Sequence, residues 1–258
     1  MNDLKKQIFD MYKCKINEEY CKKCKNNEKK TKGELVGPFS MFHIGKNLAN
    51  EENPIRIVFV GKTSWHEKKD VAGFAGNGSV LDASGFGREA IFEKPEEYPT
   101  AFWKYIRYFV SNESSLNLSL DDIAITNLCK CNIFNKKEKD LSKNITPDFY
   151  FKRCFSIFEE EIKIIKPTHL ILFVGAGYDH LLRNAKFGYD NFRDEKNEDC
   201  KVEVPKKDGE KRKVWWWHRI FMKNGKVKMQ MLRTRHPQRA PFGLKEEIVK
   251  WIKSNQID

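Results

Sequence analysis

No apolar run in this 258-residue chain approaches the ~20 residues that a bilayer-crossing helix needs. The amino terminus, Met1-Asn2-Asp3-Leu4-Lys5-Lys6, lacks the apolar core of a secretory signal, so a cytoplasmic protein with no membrane partner is expected. Repeats of the kind that build solenoids are missing. There is also no glycine motif that cradles phosphates, which leaves a small-nucleotide hydrolase without support. Acid is scarce relative to base: 36 Asp and Glu stand against 48 Lys and Arg, a net charge of +12. A surface of that sign attracts polyanions and speeds encounter with them. A hydrophobic fraction of 40% with 13% aromatics excludes a disordered chain, and the length suffices for a proper core.

Cysteine is present in an odd number, seven. In a reducing compartment that favours metal ligation over disulfides. Leu4, Ile8, Met11 and Tyr12 recur at helical spacing over residues 3 to 13. Cys14 follows, and then Tyr20-Cys21-Lys22-Lys23-Cys24, whose C-x-x-C spacing brings two thiolates to one metal centre. The lysine-rich run from Cys24 to Gly33 reads as a solvated loop.

The chain is organised around Pro54 to His66. Residues 55 to 60 are apolar and β-branched enough for a strand buried on both faces, and the strand runs into Gly61 and a polar-aromatic turn, Lys62 to His66. In α/β folds, chemistry gathers in loops that leave the carboxyl ends of such strands. Val71 to Ser79 is glycine-rich, and residues 100 to 110 read as a helix whose aromatic face packs. Asp122 to Cys131 holds a second strand, and Thr146-Pro147 begins a helix to Ile165 with Phe151, Cys154, Phe155, Phe158 and Ile162 on one face. His169 to Val174 is a third strand, and a helix from Tyr178 runs to about Ala185. Residues 186 to 213 read as an irregular, charged insertion. Asn224-Gly225 then joins two hairpin arms, 214 to 223 and 226 to 233, and Leu244 to Ile252 closes the chain as a helix. This alternation predicts a three-layer α/β/α sandwich with a mainly parallel central sheet, one domain over 1–258 with an insertion plus hairpin at about 186–233.

Three strand ends stand out together: Gly61 to His66, Thr126-Asn127, and Arg235-His236-Pro237. Their order and sequence resemble the uracil-DNA glycosylase superfamily. Thr126-Asn127-Leu128-Cys129-Lys130-Cys131, the helix bearing Cys154, and the strand Lys166 to Gly175 look most like its iron–sulfur branch. The resemblance spans roughly residues 20 to 255, interrupted near 186 to 230.

That resemblance implies a DNA glycosylase that hydrolyses the N-glycosidic bond of a flipped pyrimidine, with DNA as its partner and no obligate protein partner. Gly61, Lys62 and Trp65 would wall the pocket, Phe74 would stack on the base, and Asn127 would read its edge. His236 would stabilise charge on the leaving base, and Arg235, Gln238, Arg239 and Phe242 would touch or enter the DNA. Cys21, Cys24, Cys131 and Cys154 would hold a four-iron, four-sulfur cluster, with zinc as the alternative and Cys14 or Cys129 as replacement ligands.

One departure from the family pattern matters. Where relatives carry a carboxylate or amide that orients water, this chain has Lys62 and Thr63, so Thr63, His66 or Asp70 (with Glu67 beside them) are left to position it. The base could be uracil or a bulkier modified pyrimidine, in DNA repair or anti-phage defence, and Trp215, Trp216 and Trp217 could re-line the site or simply pack. Without an obvious amine nucleophile, water rather than a Schiff base is the expected attacker. The same departure leaves open a nucleic-acid-binding protein that kept this fold and lost the chemistry.

Overall fold

The computed structural model describes residues 3–28, 34–62, 80, 83, 85–134 and 148–257. The fold is mixed α/β. Its main sheet is built from β2 (His43–Ile44), β3 (Ile57–Gly61), β4 (Ile123–Asn127), β6 (His169–Leu172), β7 (Asn191–Lys196), β9 (Lys211–Lys223) and β10 (Lys226–Thr234) in the order β2-β4-β3-β6-β10-β9-β7. The middle four strands, β4-β3-β6-β10, run parallel, and β2, β9 and β7 join antiparallel. β8 (Lys201–Pro205) pairs with the first part of β9, and β1 (Glu34–Val36) pairs with β5 (Asn132–Phe134) apart from the main sheet. Among the described residues, no helix is long and apolar enough to cross a membrane.

β3, β4 and β6 are buried along their whole length, as continuous apolar runs in a parallel sheet must be. Alternate residues feed two separate cores. Val58, Val60, Ala124, Leu170 and Leu172 pack with α1 (Asp3–Lys15) and α5 (Asp148–Ile165). Ile57, Phe59, Ile123, Ile125, Ile171 and Phe173 pack with α4 (Ala101–Phe109) and α7 (Leu244–Ser254). Phe59, Phe109 and Phe173 stack there with ring centroids 5.2 to 6.4 Å apart. Arg56 clamps the amino end of β3 by donating to the carbonyls of Asn50, Glu51, Asn53 and Lys166.

Several expectations are corrected. β3 begins at Ile57, two residues after the predicted start. The C-x-x-C segment lies on α2 (Glu18–Glu28), so the lysine-rich run continues as helix to Glu28 before its described part ends. The stretch 186 to 213 is not irregular: it supplies β7, β8 and the start of β9, where charged residues are tolerated because one strand face is solvated. The expected hairpin is present, with Asn224 and Gly225 both at positive φ as a tight turn between twisted strands requires. It is no appendage, however, because β10 pairs in parallel with β6 and is one of the four middle strands. Trp216 and Trp217 are buried in the two cores, one on each face, which makes them packing residues. The short helix after Tyr178, α6, covers only Asp179–Leu182. Thr146 and Pro147 lie outside the described residues.

The histidines without an assigned role have structural partners. His43 meets the Leu120 carbonyl at 2.8 Å, His169 the Asn255 carbonyl at 3.0 Å, His218 the Gln230 amide oxygen at 2.8 Å, and His180 the Asp148 carboxylate at 3.2 Å.

Candidate functional site

In the order β4-β3-β6-β10 the chain leaves β3 towards β4 on one side and returns to β6 on the other. Such a reversal opens a crevice at the carboxyl ends of the strands. Those ends carry Gly61, Asn127, the Val174-Gly175 turn and Arg235-His236. The turn after β6 is tied to the end of β10, since the Gly175 N–H donates to the Thr234 carbonyl at 2.9 Å.

Gly61 and Asn127 are register partners on neighbouring strands. They continue the series Ile57, Phe59 and Ile123, Ile125, and so face the α4 side of the sheet. A Cβ on Gly61 would lie 2.4 Å from Oδ1 of Asn127 and 3.5 Å from the Phe102 ring. Glycine here is what lets the Asn127 side chain lie across the neighbouring strand. Phe102, half-buried on α4 and edge-on to Phe173 at 6.0 Å, therefore borders the same spot. Sequence reading assigned that aromatic stripe to packing alone.

Beneath Asn127 lies a buried polar network that the sequence did not reveal. Lys130 Nζ donates to the Asn127 carbonyl at 2.8 Å, to Thr126 Oγ1 at 2.5 Å and to Glu161 Oε2 at 2.7 Å. Thr126 Oγ1 donates to the same carboxylate at 2.9 Å, and the Tyr12 hydroxyl donates to Glu161 Oε1. Lys130 is 2% exposed and Glu161 0%, so neither charge can be relieved by water. Burial, with Glu161 beside it, pushes the Tyr12 phenol well above its ordinary range. A satisfied network of this kind rigidifies what it holds, here the main chain of Asn127.

His236 caps the short 3-10 turn Pro237–Arg239, its Nδ1 accepting from the Gln238 N–H at 3.3 Å. With Nδ1 accepting, the neutral ring carries its proton on Nε2 and presents it as a donor. Burial, then the nearby charges of Lys62 and Arg239, lower the His236 pKa to about 4, so the ring is neutral at pH 7. Lys62 is half-buried, its ammonium 5.8 Å from the Tyr178 ring centroid. Desolvation, then Arg239, lower its pKa as well. Arg235 is influenced the same way by burial, Arg212 and Arg239. Phe242 is 61% exposed, with Lys245 Nζ 5.6 Å from its ring centroid.

The structure thus places Gly61 beside Asn127, and Lys62, Arg235, His236 and Arg239 within electrostatic reach of one another. Thr63, Trp65, His66, Glu67, Asp70 and Phe74 lie outside the described residues.

Cys21, Cys24, Cys129, Cys131 and Cys154 are all buried in the core beneath α1 and α5, and none forms a disulfide. Cys129 Sγ lies 3.8 Å from Cys154 Sγ, and Arg153 Nε donates to Cys24 Sγ at 3.3 Å. Burial pushes the Cys24 thiol up to about 11, with the charge of neighbouring Cys154 and Cys21 adding to it and the Arg153 hydrogen bond opposing it. The donor set suits a group held by thiolates. The sulfurs are gathered without being closed around one centre: among the described residues no group of three or more His, Cys, Asp or Glu stands ready to hold a metal ion. Of the two replacement ligands considered, Cys129 touches the set, whereas Cys14 is exposed.

No protein-family model matches the sequence, and no curated protein matches it either.

Proposed function

We propose that this chain is a monofunctional DNA glycosylase, a three-layer α/β/α sandwich of uracil-DNA glycosylase type, hydrolysing the N-glycosidic bond of a flipped pyrimidine. The observation that carries the reading is that the carboxyl ends of one run of parallel strands carry both an amide braced from below, at β4, and a neutral histidine set among cations, after β10. A base must leave the duplex before its glycosidic bond can be attacked, and a pocket then reads it by hydrogen bonds and stacking. Asn127 offers both a donor and an acceptor for a pyrimidine edge. The Nε2–H of His236 is the donor for the base oxygen that becomes anionic as the bond breaks, and donors aimed at developing charge lower the barrier.

Lys62 gains a role from its position. Near His236, its charge favours the departing anionic base by Coulomb attraction. The same charge disfavours a cationic sugar, so the attacking water must be held by another group, for which Thr63, His66 and Asp70 remain the candidates. Arg235 and Arg239 would contact phosphates, and the loop from Gln238 to exposed Phe242 would enter the space a flipped nucleotide vacates. Cys21, Cys24, Cys131 and Cys154, with Cys129 adjacent, would hold an iron–sulfur cluster or zinc as a structural clasp between α2, the turn after β4 and α5. The substrate is uracil or a bulkier modified pyrimidine, in repair or in defence against phage DNA.

A specific observation favours the second reading, a nucleic-acid-binding protein without catalysis: Lys62 and Arg239 crowd the histidine with positive charge. Oligonucleotides carrying a panel of normal and modified pyrimidines, incubated with the protein and then treated with alkali, separate the two. Strand breaks at one base support the glycosylase, and binding without breaks at any base supports the alternative.

A further inference from the structure

The segment expected to be an irregular insertion folds into a β8–β9 hairpin that lies against the loop after His236. Val204 and Val214 are buried in the core that also holds Leu244 and Ile248 of α7, so the hairpin is anchored rather than dangling. The anchor reaches the loop after His236 directly. The Gly243 N–H donates to the Pro205 carbonyl at 3.0 Å, and a Cβ on Gly243 would lie 3.0 Å from the Pro205 ring. The hairpin therefore abuts the residue next to exposed Phe242.

Its charges are unevenly spent. Lys206 pairs with Glu210, and Lys211 with Glu203 at 3.6 Å. Lys201 lies 4.0 Å over the Trp215 ring. Arg212 is exposed and stands opposite Val204 in the ladder. It shares a strand face with Val214 and Trp216, the face that packs towards α7 and the loop after β10. Burial, then the charges of Arg212 and Arg239, lower the Arg235 pKa, so both guanidinium groups act on it electrostatically. Arg212 of the hairpin and Arg239 of the loop thus both lie within electrostatic reach of Arg235. Like charges held near one another cost the folded state energy, and a polyanion relieves that repulsion.

We propose that the β8–β9 hairpin, led by Arg212, is a second phosphate-gripping arm that holds the DNA backbone beside the loop Arg235 to Phe242. The inference rests on the glycosylase reading and extends its DNA contact to a part of the chain that the family resemblance does not cover. The arm binds backbone and reads no sequence, because a guanidinium at a strand end reaches phosphate oxygens without entering a groove.

The test measures affinity for a duplex oligonucleotide as a function of salt, for wild type, Arg212→Glu, Arg212→Gln, Arg239→Ala and Lys226→Ala. Lys226 is exposed at the far end of β10 and serves as a comparison. Arg212→Gln should bind several-fold more weakly and reduce the slope of log affinity against log salt by about 0.9, the value of one lost phosphate contact. Arg212→Glu should bind more weakly still, and Lys226→Ala should match wild type. Circular dichroism and a melting curve show that each variant is folded, and the Gln variant carries the test if the Glu variant is not. Weaker binding by Arg239→Ala alone, with both Arg212 variants matching wild type, overturns this inference and leaves the proposed function standing. Wild-type protein that binds no DNA overturns both.

Discussion

A Cβ on Gly61 would sit 2.4 Å from Oδ1 of Asn127, so the amide at one strand end holds its place because the neighbouring strand end has no side chain. Gly61→Ala should push the amide aside without disturbing the core. Displacing a substrate-positioning group by about 1 Å costs on the order of a hundredfold in rate. Single-turnover excision by Gly61→Ala should fall by about that factor, and Asn127→Asp should change which base is preferred. A Gly61→Ala protein with wild-type rate and base preference would remove Asn127 from the site.

His236→Ala should slow single-turnover cleavage by about a hundredfold to a thousandfold, as loss of one such donor does elsewhere, while DNA affinity stays near wild type. Because its pKa lies at about 4, the ring keeps its neutral, Nε2-protonated form across the neutral range. Its own titration should leave the rate flat above about pH 5 and lower the acceptor capacity of Nδ1 only near pH 4. A rate that tracks an ionisation near 6.5, absent in His236→Ala, would contradict the neutral donor.

Lys130 and Glu161 should behave as a pair. Removing one partner of a buried ion pair strands the other charge and costs about 3–5 kcal/mol. Lys130→Met should show that loss in urea unfolding, and Lys130→Met with Glu161→Gln should recover part of it. A double-variant loss equal to the sum of the losses in Lys130→Met and Glu161→Gln alone would mean that the two charges are not coupled.

The thiol set predicts a bound group. Protein purified without oxygen should be brown and contain iron, and Cys154→Ala should lose the colour and the iron, whereas Cys14→Ala should keep both. Colourless protein loaded with zinc would replace the cluster and retain the site. Protein with neither metal would leave the thiols as core residues.

Acid should weaken the fold in a defined window. Burial lowers the pKa of fully buried His169 from 6.5 to about 4. Between those values the unfolded chain takes up a proton that the folded chain refuses, so stability falls as pH drops from about 6.5 to about 4 and this contribution is spent below that. The shift corresponds to roughly 3 kcal/mol at full extent. Urea midpoints should fall across this window in wild type and fall less in His169→Gln.

The elements of the middle of the chain were legible because their apolar runs and helical spacings are strong local signals. The buried strand before Gly61, the helix bearing Cys154 and the Asn224-Gly225 turn all follow from residues within a few positions of one another. The pairing of β10 with β6 was not legible in that way, because a parallel partner is chosen by packing across some sixty residues of chain. The charged strands β7 and β8 were hidden by their solvated faces, which carry no hydrophobic pattern strong enough to distinguish strand from loop. Individual site residues such as Asn127 and His236 were visible at strand ends, yet their environment was not. That Glu161 holds the Lys130 ammonium bracing Asn127, that burial with Lys62 and Arg239 keeps His236 neutral, and that Arg212 lies within electrostatic reach of Arg235 depend on the packing of distant segments. Burial and charge proximity are properties of the folded surface, and only the tertiary structure brings those side chains into one another's field.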